Sequence, residues 1–223
     1  NGAGTLPTFQ AATIPQAYLA GLGMSTAGSS TTMTTAAGQA TDSTNVRAIT
    51  LTASIAKTTA AWAVGSAQGG LDAGGIAAST WYHFHLIQRS DTEVEDVLIS
   101  LSATAPTMPA SYDYRRRIGA GRTNGASQWT SFTQDGDLFQ WAATVLDVDV
   151  SNPGTAAVTR TLTVPTGVNV VAIVNALIVQ GAGVGGGGYL SDLAVNDEAV
   201  STTVAPLANV EGLVSTTASS GHI

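Results

Sequence analysis

The chain has no cysteine, which removes disulfides, thiolate nucleophiles and cysteine-ligated metals together. Charge is scarce too. Only 10% of the 223 residues are Asp, Glu, Lys or Arg, against roughly 25% in an ordinary soluble domain. Lys57 is the sole lysine. No run of eighteen apolar residues is present to span a membrane as a helix, and no basic-then-apolar leader opens the sequence. The formal net charge of −7 leaves no basic field to offset phosphate, which argues against nucleic acid and anionic membranes as partners. The sequence opens on Asn1 and closes on Ser219-Ser220-Gly221-His222-Ile223, and it reads as a processed or partial piece of something longer.

What is present is small and β-prone. The apolar fraction is 44%, dominated by Ala, Val, Leu and Ile, with 25 Gly and many Ser and Thr. A surface of hydroxyls, amides and small side chains suits extended structure packed into a larger assembly; a secreted or periplasmic β-domain is the plainer alternative. At this length the chain suits one large all-β domain or two small ones, with room for a sizeable core.

Residues 1–16 mix Gly, Pro and Thr with isolated apolars and read as an extended N-terminal arm. Ala17–Ser25 begins a strand, Asp42-Ser43-Thr44-Asn45 is a loop of side chains that bond their own backbone, and Val46–Ile55 alternates as a strand. Lys57–Ala63 is ambiguous between element types. Thr80–Arg89 places Trp81, His83, His85 and Ile87 on one face and Tyr82, Phe84, Leu86 and Gln88 on the other. The expectation is one buried aromatic face with the imidazoles in water. Val94–Ser102 returns as its hairpin partner across the polar turn Arg89–Glu93. Tyr114–Arg122 leads into an Asn124-Gly125 turn, and Trp129–Trp141 follows. Ala142–Val150, Ala157–Val164 and Tyr189–Val195 read as further strands. Val168–Gln180, the most apolar run, reads as a strand buried on both faces and bent at Asn175. About ten short strands and no convincing helix predict an all-β, two-sheet antiparallel β-sandwich, jelly-roll-like. Its body is expected over 17–198, with a C-terminal strand and tail over 199–223.

Several constellations invite chemistry. His83 and His85 on one strand face, with Glu95 or Asp96 from the partner strand, have the makings of a metal site; two solvent-facing imidazoles are the simpler reading. Asp135-Gly136-Asp137 has carboxylates in a Gly turn but lacks the EF-hand spacing, so it reads as a hairpin turn. Asp147 and Asp149 share a strand face with no acid partner and read as a solvated surface. Arg115-Arg116-Arg117 is the sharpest charge cluster. Guanidinium forks suit acidic glycan or phosphate, yet in an acidic protein they are expected to pair with Asp91, Glu93, Glu95 or Asp113, across strands or across a subunit interface. The Gly183–Gly188 run lacks the Gly-Lys-Ser/Thr ending of a phosphate loop. Trp62, Trp81, Trp129 and Trp141, with Tyr82, Tyr112 and Tyr114, are expected to fill the core, with a sugar-stacking surface as the minority reading. No catalytic, cofactor or metal residue is assigned, and no enzyme activity is expected.

One resemblance goes further. Gly69-Gly70-Leu71-Asp72, Thr80-Trp81-Tyr82 and Arg116-Arg117-Ile118-Gly119 fall in a longer pattern, GGLD…TWYxxxLIxRSDT…DVLxSxSATAPTMPxxYxxxRRIG…FTQxGDxF. This pattern resembles segments of tailed-bacteriophage and prophage virion proteins, chiefly tail or fibre components. The Asp42–Asn45 loop and the Leu146–Gly154 region fit it as well, so the similarity spans roughly Tyr18 to Pro206. Its pieces are many and correctly ordered, but none carries a mechanism. The resemblance implies a β-rich virion module that assembles with itself and with other virion proteins near the site of host recognition, and it supplies no catalytic residues; a homotrimer and contact with host-surface glycan are the expectations. A carbohydrate-binding module, a capsid-decoration or head-fibre protein and a glycan-cleaving depolymerase are the alternatives.

Overall fold

The computed structural model describes residues 15–152, 154, 156–177, 188–190, 193 and 213–214. The expected arm over 1–16 and tail over 199–223 therefore lie almost wholly outside the described residues. The chain divides into two units. One holds residues 1–145 with Pro165–Val168, the other Leu146–Val164 with 169–223.

The described part of the first unit is all strand and loop. In chain order the strands are β1 (Leu19–Gly21), β2 (Met24–Thr26), β3 (Thr32–Thr35), β4 (Gly38–Thr41), β5 (Ala48–Leu51), β6 (Ile55–Ala61), β7 (Gln68–Leu71), β8 (Trp81–Arg89), β9 (Glu95–Ser100), β10 (Tyr112–Arg122), β11 (Phe132–Asp135) and β12 (Leu138–Trp141). They form two sheets, as expected of a β-sandwich. One is nine-stranded, in the order β10-β8-β9-β7-β6-β3-β2-β11-β12; the other is three-stranded, β1-β4-β5. Pairing is antiparallel except at β7, which runs parallel to both β6 and β9.

Local chemistry sets the boundaries. The expected strand over Ala17–Ser25 is split because Gly21 and Leu22 both take positive φ (66° and 61°), and this kink passes the chain from the small sheet to the large one. Val46–Ile55 is likewise broken after Leu51. Thr52 turns to bond Glu95 Oε1, and Ser54 donates to the Thr35 carbonyl at 3.0 Å. Asp42 organises its loop as anticipated, its carboxylate accepting from the Thr44, Val46 and Arg47 amides. The hairpin of β8 and β9 has the expected partners, with Phe84 opposite Ile99 and Gln88 opposite Glu95. Asn124 Oδ1 accepts from the Ala126 and Gln128 amides, closing the Asn-Gly turn.

The large sheet curls until its ends meet. Trp129 makes bridges to Thr123, just past β10, and to Ser30, just before β3. Its amide donates to the Ser30 carbonyl at 2.8 Å, and its indole Nε1–H donates to the Thr31 carbonyl at 3.2 Å. The ring packs edge-on to Tyr82 and at a tilt to Phe84. Trp81 on β8 meets Phe139 and Trp141 on β12. Around this seam lie Met24, Met33, Ile49, Leu86, Ile99 and Phe132, all buried. Gly69 is required where β7 touches β6, since a Cβ there would stand 1.9 Å from the Ala61 carbonyl oxygen.

The chain after β12 differs from expectation. Ala142–Val150 and Ala157–Val164 carry no strand, nor do the described residues of Val168–Gln180. Val171 is 93% exposed and Leu177 83%, so the run is not buried on both faces. A β-branched apolar sequence becomes a strand only with a ladder partner and a covering layer, and the described residues supply neither. The two short strands β13 (Gly188–Tyr189) and β14 (Leu213–Val214) pair antiparallel.

Two core predictions follow from this packing. Trp129→Ala is expected to cost about 3–5 kcal/mol, read as a lower denaturation midpoint; an unchanged midpoint would contradict the closure role. Gly69→Ala should also lower the midpoint, because backbone rather than a flexible side chain must give way.

Candidate functional site

β8 is covered on both faces. Every residue from Trp81 to Gln88 is buried, and His83 and His85 are each 1% exposed. The expectation that the imidazoles face water is therefore wrong: loop residues after β9, the Arg117 side chain and Thr166 close over them. His85 Nε2 lies 3.0 Å from the Ser102 carbonyl oxygen, so the proton sits on Nε2 and Nδ1 keeps its lone pair. His83 Nδ1 accepts from Arg117 Nε–H at 3.0 Å. Burial, reinforced for both rings by the Arg117 charge, pushes each imidazole down to about 4. Both are neutral near pH 7. Neither Glu95 nor Asp96 joins them: Glu95 bonds Thr52 and Asp96 pairs with Lys57. Among the described residues no three His, Asp or Glu side chains gather as a metal site.

The arginines do not make the cross-strand pairs expected of them. Among the described residues none of Arg115, Arg116 and Arg117 forms a salt bridge, because the carboxylates assigned to them are engaged elsewhere. Asp91 takes both forks of Arg89, at 2.7 and 2.6 Å, and this bond holds its carboxyl well below the usual range. Glu93 pairs with Arg47, Glu95 with Thr52, and Asp113 with the Ser90 hydroxyl. In the polar turn after β8, Asp91 folds back onto Arg89 of its own hairpin and Glu93 reaches Arg47 just before β5, so neither turns to β10. Arg115 instead donates to the Thr104 carbonyl at 3.1 Å and Arg116 to the Ala17 carbonyl at 3.3 Å. All three guanidinium-bearing residues line one open cleft of about 470 Å³, which Ser43, His85 and Asp137 also help to line.

The remaining candidates have structural roles. Asp135 and Asp137 flank Gly136 (φ 55°) in the hairpin turn from β11 to β12. Asp147 accepts from the amide and hydroxyl of Thr163. Tyr82, Trp129, Trp81 and Tyr112 are core residues, and Trp62 stands edge-on to Tyr112, so these aromatics do not form an open stacking platform. The glycine run at 183–188 lies, save Gly188, outside the described residues.

Sequence reasoning missed the buried pair. Lys57 Nζ sits 3.0 Å from Asp96 Oδ1, with side chains 1% and 0% exposed. The ammonium also donates to the Ala63 and Gly65 carbonyls and lies over Trp62, while Asp96 Oδ2 accepts from the Gly65 amide. Burial lowers the Lys57 pKa, and the Asp96 charge opposes the shift. The available signal was alternation, for Ile55, Lys57 and Thr59 share the buried face of β6. Comparison of the chain with protein-family models, curated proteins and solved structures finds no match.

Lys57→Met leaves a buried carboxylate without its cation and is expected to destabilise by about 3–5 kcal/mol, measured by urea unfolding. The imidazoles set a pH dependence. Their folded pKa lies below the unfolded value near 6.5, so the unfolded chain takes up protons that the folded chain refuses. Stability is full above about pH 7, falls between roughly 6.5 and 4, and levels off below. At about 1.4 kcal/mol per pKa unit, the loss is at most roughly 3 kcal/mol per ring. A urea midpoint that stays flat across this window would contradict the buried, neutral assignment.

Proposed function

We propose that this chain is a structural component of a tailed-phage virion, of tail or fibre type. In this reading it acts as an oligomeric scaffold, a trimer, that stands among other virion proteins and offers loops to the host surface. The reading assigns it no catalytic step. The observation that carries it is large aliphatic side chains that are exposed among the described residues. Leu146 is 75% exposed and Ile173 78%, and Val171 and Leu177 are more exposed still. Exposure of large aliphatic side chains is unfavourable in water at about 25 cal/mol per Å², and self-association relieves it. Sparse charge removes the electrostatic objection to close packing of copies. The virion assignment itself rests on the resemblance set out above, and the fold and the exposed aliphatic side chains are compatible with it.

Light scattering on the purified chain tests the assembly. The expected mass is a multiple of 22.4 kDa, with well over ~1,000 Å² buried per contact. Ile173→Asp is expected to lower that mass. A monodisperse species at the single-chain mass would sink the scaffold reading.

A further inference from the structure

We infer that the cleft along β10 is a binding site for an acidic saccharide, a sugar carrying a carboxylate or phosphate beside free hydroxyls. β10 is an edge strand of the nine-stranded sheet, and its three consecutive arginines open onto one concavity of about 470 Å³. That volume lies within the range of small-ligand sites, about 300–1,000 Å³.

The charge balance favours an anion. Among the described residues three arginines and one acidic residue, Asp137, line the cleft, so three minus one leaves a lining charge of two positive, in a protein whose net charge is −7. Both imidazoles nearby are neutral and offset nothing. Each arginine has one recorded hydrogen bond to the protein, to the Thr104 carbonyl, the Ala17 carbonyl or His83 Nδ1. A guanidinium carries five N–H donors in a planar fork, so most of the donor capacity is left for a planar or tetrahedral oxyanion.

The hydroxyl requirement comes from other residues. His85 contributes to the cleft wall. Its Nε2–H is committed to Ser102, and its Nδ1 is buried with no hydrogen-bond partner. That nitrogen is closed off from the cleft, so His85 offers a neutral wall rather than a contact, and the hydroxyl contacts fall to Ser43. Ser43 brings a hydroxyl that can both donate to and accept from a sugar hydroxyl, whereas the Gln134 amide is committed to the Ala120 N–H and the Gly136 carbonyl. An extended polyanion such as nucleic acid fits less well, since the acidic remainder of the chain repels it beyond the cleft.

The inference rests on the proposed host-facing role only for the source of the ligand. The test is calorimetric titration of the full chain at low ionic strength with digalacturonate, glucose 6-phosphate and maltose. At least one of the two anions is expected to bind and maltose is not, and the anion that binds identifies carboxylate or phosphate as the recognised group. The double substitution R115Q/R116Q is expected to weaken binding by about tenfold or more, as loss of charge-assisted bonds implies, and high salt should weaken it as well. Arg117 is left intact because it also covers His83. Should the double variant melt early, R116E alone serves, since Arg116 touches only a loop carbonyl. The inference is overturned if neither anion binds, if maltose binds equally, or if a folded variant binds as tightly as the parent. Mass measured on the same sample separates the two proposals: an assembled chain without binding retires the cleft alone, and a binding monomer retires the scaffold alone.

Discussion

The double-sided burial of β8 is the constraint on which the rest of the first unit depends. A strand covered on one face needs only an apolar stripe, but this one carries His83, His85 and Gln88 into the interior along with Trp81, Phe84 and Leu86. Each buried polar group must find a partner or cost free energy. Ser102 answers His85, Arg117 answers His83, and the Glu93 carbonyl and Arg47 answer Gln88. Those demands fix where the loop after β9 lies and draw Arg117 inward. They also keep the imidazoles uncharged, so the arginines on the neighbouring strand face no cationic competitor.

The same reasoning applies one layer over. Lys57 and Asp96 lie on β6 and β9, with β7 between them in the sheet. Burying both ions is tolerable because the surrounding carbonyls and amides complete their hydrogen bonding. Such a pair contributes little net stability but excludes other registers, because a one-residue slip of either strand would bury an uncompensated charge. This register constraint matters at β7, where only Gln68, Gly69 and Leu71 join the parallel ladders.

Much of the hairpin architecture was legible in the sequence. The strand over Trp81–Arg89, its return, the Asn-Gly turn, the Asp42 loop and the Gly136 turn all follow from local rules, and the structure has them. What was not legible depends on distant chain. Alternation separates two faces of a strand but does not say whether the second face meets water or a covering loop, and so the histidines were misplaced. Counting carboxylates near Arg115–Arg117 in sequence did not reveal that Asp91 and Glu93 would turn to Arg89 and Arg47. The aliphatic run after Val168 has strand composition without strand neighbours, a distinction no local pattern encodes. Lys57 fell in a segment ambiguous between element types, and lysine is rarely buried; its place in an alternating triplet was the available guide.

That single enclosed lysine has a practical consequence. A folded chain of this kind offers no ε-amine to amine-directed cross-linkers, fluorophores or fixatives, and trypsin is left with arginine bonds alone until the fold opens. Reaction at Lys57 would then report opening of the sheet itself, so that one acylated site, read by mass, becomes an internal gauge of when the barrel-like curl comes apart.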